Sequence, residues 1–154
     1  MSSFGDEIRQ ERSFTSLEEE TLLALMRTAD VLTRPVEVLF KSHGLSPTQF
    51  NALRILRGAG KAGLPCSEIA HRMVTRDPDI TRLLDRLEWT HLAKRARDAG
   101  DRRVVVARIT AAGLELLGRL DGPVAELNRK LLGGMGEERL RALLALLQQV
   151  RGGA

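Results

Sequence analysis

Along the first third of the chain, Leu22, Leu25, Ala29, Leu32, Val36 and Leu39 recur at alternating three- and four-residue steps. That spacing aligns them on one face of a helix and predicts a long helix over about 16–43. Ser16 with Glu19 three residues on reads as a capping box, Gly44 as a left-handed stop, and Pro35 inside predicts a bend. A second helix starts with every signal in agreement: Ser46 as cap, Pro47 in the first turn, Gln49 to close the box, and Leu45 to staple against Phe50. Its apolar face is Phe50, Leu53, Ile55 and Leu56, and the glycines from Gly58 to Gly63 end it. A short helix over about 65–73 should bury Ile69, Ala70 and Met73.

The pattern breaks at Thr75-Arg76 and restarts at Asp77-Pro78, a cap followed by a first-turn proline, predicting a fourth helix to about Thr90. It has two faces. Ile80, Leu83, Leu84 and Leu87 form the buried stripe, which leaves Asp79, Arg82, Arg86 and Trp89 along the opposite side, flanked by Thr81. Residues 92–96 and 103–109 read as two strands joined by a loop from Arg97 to Arg102, a basic β-hairpin. Thr110 then caps a helix carrying Leu114, Leu117, Val124, Leu127 and Leu131, with a kink expected at Gly122-Pro123. After Gly136 a last helix carries Leu140, Leu143, Leu144, Leu147 and Val150, and the tail from Arg151 to Ala154 is expected to fray.

A length of 154 residues fits one domain, 1–154, and an aromatic content of 3% without tyrosine favours helix-on-helix packing over a β-sandwich. No apolar run reaches the roughly 18 residues a bilayer span needs, so no membrane partner is expected. A single cysteine, Cys66, excludes an internal disulfide, and the first ten residues lack the blocks of a signal peptide. The expected compartment is the cytoplasm. Charge is uneven: residues 1–44 carry five basic against eight acidic groups, residues 92–108 six against two. A basic excess gathered in one short segment points to a polyanion as partner, nucleic acid first.

Helix, short helix, turn, two-faced helix and basic hairpin together have the layout of a winged helix-turn-helix. A helix packed through one stripe can lay its other face in the major groove, where Arg82 and Arg86 can pair bidentately with guanine. Thr81 is placed for a base or a phosphate, and a wing tipped with arginine can enter the neighbouring minor groove.

At these residues the chain resembles the MarR family of bacterial transcription regulators. The resemblance lies in Leu45-Ser46-Pro47-Thr48-Gln49-Phe50, Ser67-Glu68-Ile69-Ala70, the run from Ile80 to Glu88, Asp101-Arg102-Arg103-Val104, and Thr110 with Gly113. It implies a symmetric homodimer tied by helices over 16–44 and 110–150, with a winged lobe over 45–109 reading half of a palindromic operator in double-stranded DNA. It also implies repression relieved by a ligand or oxidant. Carried across residue by residue, Arg103 matches the family's minor-groove wing arginine, Asp101 the carboxylate that orients it, and the face from Arg76 to Arg86 the recognition helix. Ser67, Arg76, Asp79, Thr81, Arg82, Arg86, Asp101, Arg102 and Arg103 are therefore the expected DNA-binding residues.

The chain departs from the family pattern at three places. Val74-Thr75 stands where Gly-Leu is common and His91 where a glycine ends the recognition helix, so both turns are expected to be reshaped, since a non-glycine left-handed residue costs about 1 kcal/mol. Pro65 replaces a Ser or Thr cap, leaving Ser67 as the nearest hydroxyl for a phosphate.

Other chemistry is thin. Cys66 at a helix start could act as a low-pKa thiol, but the family's peroxide sensors carry their cysteine in the N-terminal helical region, held by tyrosines, and this chain has neither. His43, His71 and His91 lack ligand spacing, Glu18-Glu19-Glu20 suit a helix N-terminus, and no nucleophile, P-loop or dinucleotide motif occurs. No cofactor, metal or enzymatic activity is expected. Family members hold aromatic or phenolic acids between the dimer helices and the DNA-binding lobe; Arg34, Lys41 and Arg54 are equal candidates to pair such a carboxylate. The fold class expected is mainly α with a small two-stranded β-wing. The rival reading is a winged-helix module that binds protein or structured RNA, with salt-insensitive association and no operator preference.

Overall fold

The computed structural model describes residues 3–76 and 79–152. A four-residue helix α1 (Phe4–Glu7), too short for periodicity to reveal, is capped reciprocally by Ser3 and Asp6. The long helix α2 (Leu17–Lys41) starts at Ser16 as expected, yet only half of its capping box forms. Ser16 accepts from the Glu19 N–H (3.1 Å), while the Glu19 carboxylate turns to the backbone N–H and hydroxyl of Thr15 (2.7 Å each). Gly44 (φ 73°) ends it, with Leu45 N–H on the Phe40 carbonyl (3.0 Å) and Gly44 N–H on that of Lys41 (3.1 Å), the paired bonds of a Schellman motif. The helix runs through Pro35.

Helix α3 (Pro47–Ala59) has the full Ser46/Gln49 box, but its buried face is Phe50, Ala52, Leu53 and Leu56, with Ile55 only half-buried. A 3-10 turn (Gly60–Ala62) leads to Gly63, at φ 71°. A Cβ there would lie 2.4 Å from the Ala107 carbonyl oxygen, so glycine is what lets the chain come against the sheet. The next two residues, Leu64–Pro65, form strand β1. The sheet is thus three-stranded, in the order β1-β3-β2, with β2 at Ala93–Arg97 and β3 at Val105–Ile109, all antiparallel. The expected two-stranded wing is present as the β2–β3 hairpin, and the sheet has one strand more than expected: two residues carry no alternation, and β1 exists because β3 offers it a free edge.

Helix α4 (Cys66–Arg72) buries Ile69, with Ala70 and Met73 half-buried, and has no side-chain cap. Helix α5 (Ile80–Trp89) is capped by Asp79, whose Oδ1 accepts from the Arg82 N–H (2.9 Å). The cap expected at Asp77, with Pro78, falls outside the described residues; the helical residues themselves begin at Ile80. Helix α6 (Ala111–Leu132) is capped by Thr110, whose hydroxyl accepts from Gly113, and continues through Gly122-Pro123. Helix α7 (Glu137–Gly152) carries the tail to Gly152, so Arg151 is helical rather than frayed, and Gly153-Ala154 lie outside the described residues.

The core sits where α3, α4, α5, the sheet and the first half of α6 meet. Leu53, Leu56, Ile69, Leu84, Leu87, Leu117 and Leu120 are fully enclosed, and Phe40 reaches in from the end of α2 to stack on Phe50 at a centroid distance of 4.1 Å. The flanking arms contrast with it: α2 buries only Phe40, and α7 buries nothing. Among the described residues no helix is long and apolar enough to cross a membrane.

Candidate nucleic-acid interface

On α5 the buried stripe of Leu83, Leu84 and Leu87 fixes which way the other face points. Thr81, Arg82, Asp85, Arg86 and Trp89 are all exposed along it. Asp79, expected on this face as a direct contact, is also exposed, but its carboxylate carries the cap, so it sets the position of the first turn and of Arg82. Between the first turn of α3 and this face lies an open hollow of about 220 Å³ lined by Thr48, Asp79, Arg82, Leu83 and Arg86. Arg76 and Ser67 are exposed, Ser67 in the first turn of α4.

The wing is shaped by aspartates. The Asp98 side chain accepts from the N–H groups of Gly100 (2.9 Å) and Asp101 (3.1 Å), the Asp98 N–H donates to the Val104 carbonyl and the Val104 N–H to that of Asp101 (2.9 Å each), and the Arg97 guanidinium closes the loop on the Arg102 carbonyl (2.7 Å). Asp101 accepts from the backbone N–H of Arg103 at 3.0 Å. It therefore orients the Arg103 backbone, and the guanidinium is left exposed at the tip. Among the described residues, the ion pairs do not involve Arg76, Arg82, Arg86, Arg102 or Arg103. Unpaired and solvated, these guanidiniums are available to phosphate or base edges.

One arginine of the basic segment does something else. Arg95 shares the inner side of β2 with Ala93, two residues before it, which turns it toward α5. Its backbone N–H and its guanidinium both bond Glu88 (2.7 Å for the backbone; 2.9 and 2.6 Å for Nε and Nη2), and Nη2 also bonds Asp85. The guanidinium holds the Glu88 carboxyl below the usual glutamate range, and the two carboxylates hold Arg95 firmly charged. This clamp joins the wing to the two-faced helix. Composition counted Arg95 as one more basic residue; the signal in the sequence was Asp85 and Glu88 three apart on a helix, followed by a strand with an inward arginine. Arg108 is likewise engaged, donating from Nε to the Lys61 carbonyl (3.0 Å).

The two unusual turns resolve differently. His91 takes φ 59°, the left-handed conformation a glycine would take, so that turn is not reshaped; Leu92 N–H still reaches the Leu87 carbonyl at 2.9 Å, and the His91 carbonyl accepts from the Thr110 hydroxyl at 2.7 Å. Val74-Thr75 avoids positive φ, and the Val74 N–H is held by the Asn51 side chain (2.8 Å). Cys66 is half-buried, and burial pushes its thiol up despite the nearby positive charge of Arg95, the reverse of an activated thiolate. His43 bonds the Leu39 carbonyl at the end of α2, and His71 lies in the last turn of α4. Among the described residues no three metal-ligating side chains come together.

A cleft of about 220 Å³ separates the lobe from the arms, walled by Leu39 of α2, Phe50, Asn51 and Arg54 of α3, Val74-Thr75, and Leu127 of α6. Of the three cations considered for a carboxylate, Arg54 alone lines it, while Arg34 is paired with Asp30 at 2.6 Å.

This geometry has known counterparts. The MarR family model matches residues 45–105. The HTH-type transcriptional regulator MhqR of Bacillus subtilis is 31% identical over 108 residues, 70% of this chain and 73% of its own. PecS of Dickeya dadantii, also an HTH-type transcriptional regulator, is 29% identical over 152 residues, 97% and 92% of the two chains. The crystal structure of a MarR transcription factor from Planctomyces limnophilus is 39% identical and superposes with a TM-score of 0.69, covering 89% of this chain and 99% of that one. The chain belongs to the MarR family. It is a winged-helix, DNA-binding transcription regulator, and the family match covers α3 to the first residue of β3.

Proposed function

We propose that two copies of this MarR-family chain form a symmetric homodimer through residues 16–44 and 110–150, and that the lobes over 45–109 read the halves of a palindromic operator about one helical turn apart. Occupancy of the operator blocks transcription sterically. The observation that carries this reading is the α5 face: Arg82 and Arg86 exposed and outside every ion pair among the described residues, with the leucine stripe opposite them locked in the core. Arg82, Arg86 and Thr81 face the major groove, Arg102 and Arg103 the minor groove, and Ser67 and Arg76 the backbone; Asp79 and Asp101 position their neighbours. The dimer reading is supported by the arms, where Leu22, Met26, Leu144 and Val150 stand exposed on helices that bury almost nothing within one chain.

A small aromatic or phenolic acid is the effector class that suits the cleft, its carboxylate on Arg54 and its ring against Phe50 and Leu39. Selection of bound duplexes from a random DNA pool tests the whole reading. Enrichment of a palindrome that weakens steeply with salt is the expected result; salt-insensitive binding of protein or RNA with no palindrome would favour a winged-helix interaction module instead.

A further inference from the structure

Trp89 is the chain's one tryptophan, and it is 86% exposed at the C-terminal end of α5. At 100° per residue it falls within about 60° of arc shared with Arg82 and Arg86, on the side opposite Leu84 and Leu87. It lies seven residues beyond Arg82, about 10 Å along the axis. Burial does not account for it, because the core closes without it; nor does capping, because the helix end is made by backbone bonds at Thr90, His91 and Leu92. Tryptophan is highly buried on average and enriched at contact surfaces, where its apolar ring and its N–H donor are both used.

We propose that Trp89 is a DNA-backbone contact, packing its ring on a deoxyribose at the groove wall and donating its indole N–H to a phosphate oxygen. The inference rests on the reading of α5 as the DNA-facing helix. Chemistry favours duplex DNA over another occupant. The indole has one donor and no acceptor, a phosphate offers only acceptors, and the cations that share this arc, Arg86 about one turn and Arg82 about two turns nearer the helix N-terminus, complement further phosphates along the same groove. Because indole is neutral, the contact adds affinity without releasing a counterion.

The test uses the full-length protein, a labelled mixed-sequence duplex of about 30 base pairs, and about 50 mM salt, where non-specific backbone binding is strong. Duplex binding is followed by anisotropy and indole accessibility by acrylamide quenching of the single tryptophan. Quenching should fall as the duplex saturates, and Trp89→Ala should weaken binding about tenfold while leaving the salt slope unchanged. Duplex binding with quenching unaltered, or Trp89→Ala binding as tightly as the parent, overturns the contact and leaves the DNA-facing helix standing. Protection that grows with protein concentration alone would assign the indole to a second copy and also overturn it. Absence of duplex binding at any salt overturns both the contact and the reading beneath it.

Discussion

Arg95→Ala cuts the clamp between the wing and α5 without removing a group proposed to face DNA. The Arg95 side chain is 20% exposed, that of Glu88 33% and that of Asp85 57%, so the clamp is intermediate between a solvated pair worth less than about 1 kcal/mol and charge-assisted bonds worth about 1.5–3 kcal/mol. The Glu88 bonds are the sheltered part and the Asp85 bond is largely screened. The backbone N–H of residue 95 keeps its bond to Glu88 in the variant, which limits the loss further. About 1–2 kcal/mol is the expected loss of stability, a fall in melting midpoint of a few degrees at matched protein concentration. The effect on DNA is specific. With the clamp gone, Arg103 no longer rides on a wing fixed relative to α5, and Asp85 carries an unneutralised charge beside Arg82 and Arg86. A double-mutant cycle on operator duplex separates these consequences: Arg95→Ala should cost appreciably less affinity in an Arg103→Ala background than in the parent, the remainder being the Asp85 charge. Strictly additive losses would show that the clamp does not hold the wing arginine in register, and unchanged affinity in Arg95→Ala would remove the clamp from DNA binding altogether.

Four further outcomes are expected. Arg82→Ala should cost about 1–3 kcal/mol on the selected operator and relax base preference at one position per half-site, and an equal loss on all sequences would make it a phosphate contact. Gly113→Ala should destabilise by about 3 kcal/mol in thermal or urea melts, because its Cβ would lie 2.4 Å from the Leu92 carbonyl oxygen and 2.7 Å from Ile109 Cγ1. Leu144→Glu, at an exposed position of α7, should shift the protein toward monomer by tenfold or more in dissociation constant, measured by sedimentation, while the helical signal is kept. Cys66 should label slowly with a thiol reagent at neutral pH and accelerate only as pH rises past the ordinary thiol range, since burial raises its pKa and the thiolate appears late; rapid labelling at pH 7 would contradict that environment.

What could be read from the chain followed the range of the interactions. Ser46, Pro47 and Gln49 act within four residues, and all three do what their spacing predicts. The Leu83, Leu84 and Leu87 stripe is also local, so the exposed arginine face opposite it was legible before any coordinates. Local rules failed where two signals compete within a few residues, as with Glu19, whose carboxylate prefers the two donors of Thr15 to the single one of Ser16. They were blind where the partner is far along the chain. Strand β1 exists only because Leu64 and Pro65 meet Ala107 and Val106, and Arg95 is a clamp only because β2 turns it back onto α5. His91 shows a third case: the left-handed strain is local and disfavoured, and the bonds of Leu92 and Thr110 around it are enough to impose it.

Helix α3 connects the parts of this molecule that a regulator has to couple. Thr48 in its first turn borders the hollow beside Arg82 and Arg86, Asn51 and Arg54 wall the cleft, and Arg57 donates from Nη1 to both carboxylate oxygens of Asp121 of α6 at 3.0 and 2.9 Å. A ligand can shift DNA affinity only by favouring one arrangement of these elements over another. The Arg57–Asp121 pair is part of what holds α3 to the arm, and the Asn51 bond to Val74 fixes the turn that leads toward α5. An acid seated on Arg54 sits between those two attachments. Its leverage would therefore be on the angle between lobe and arm and on the Val74 turn, while the Arg95 clamp ties the wing to α5. In the proposed dimer, operator release would then change the separation of the two lobes and leave the reading surface of each lobe as it is.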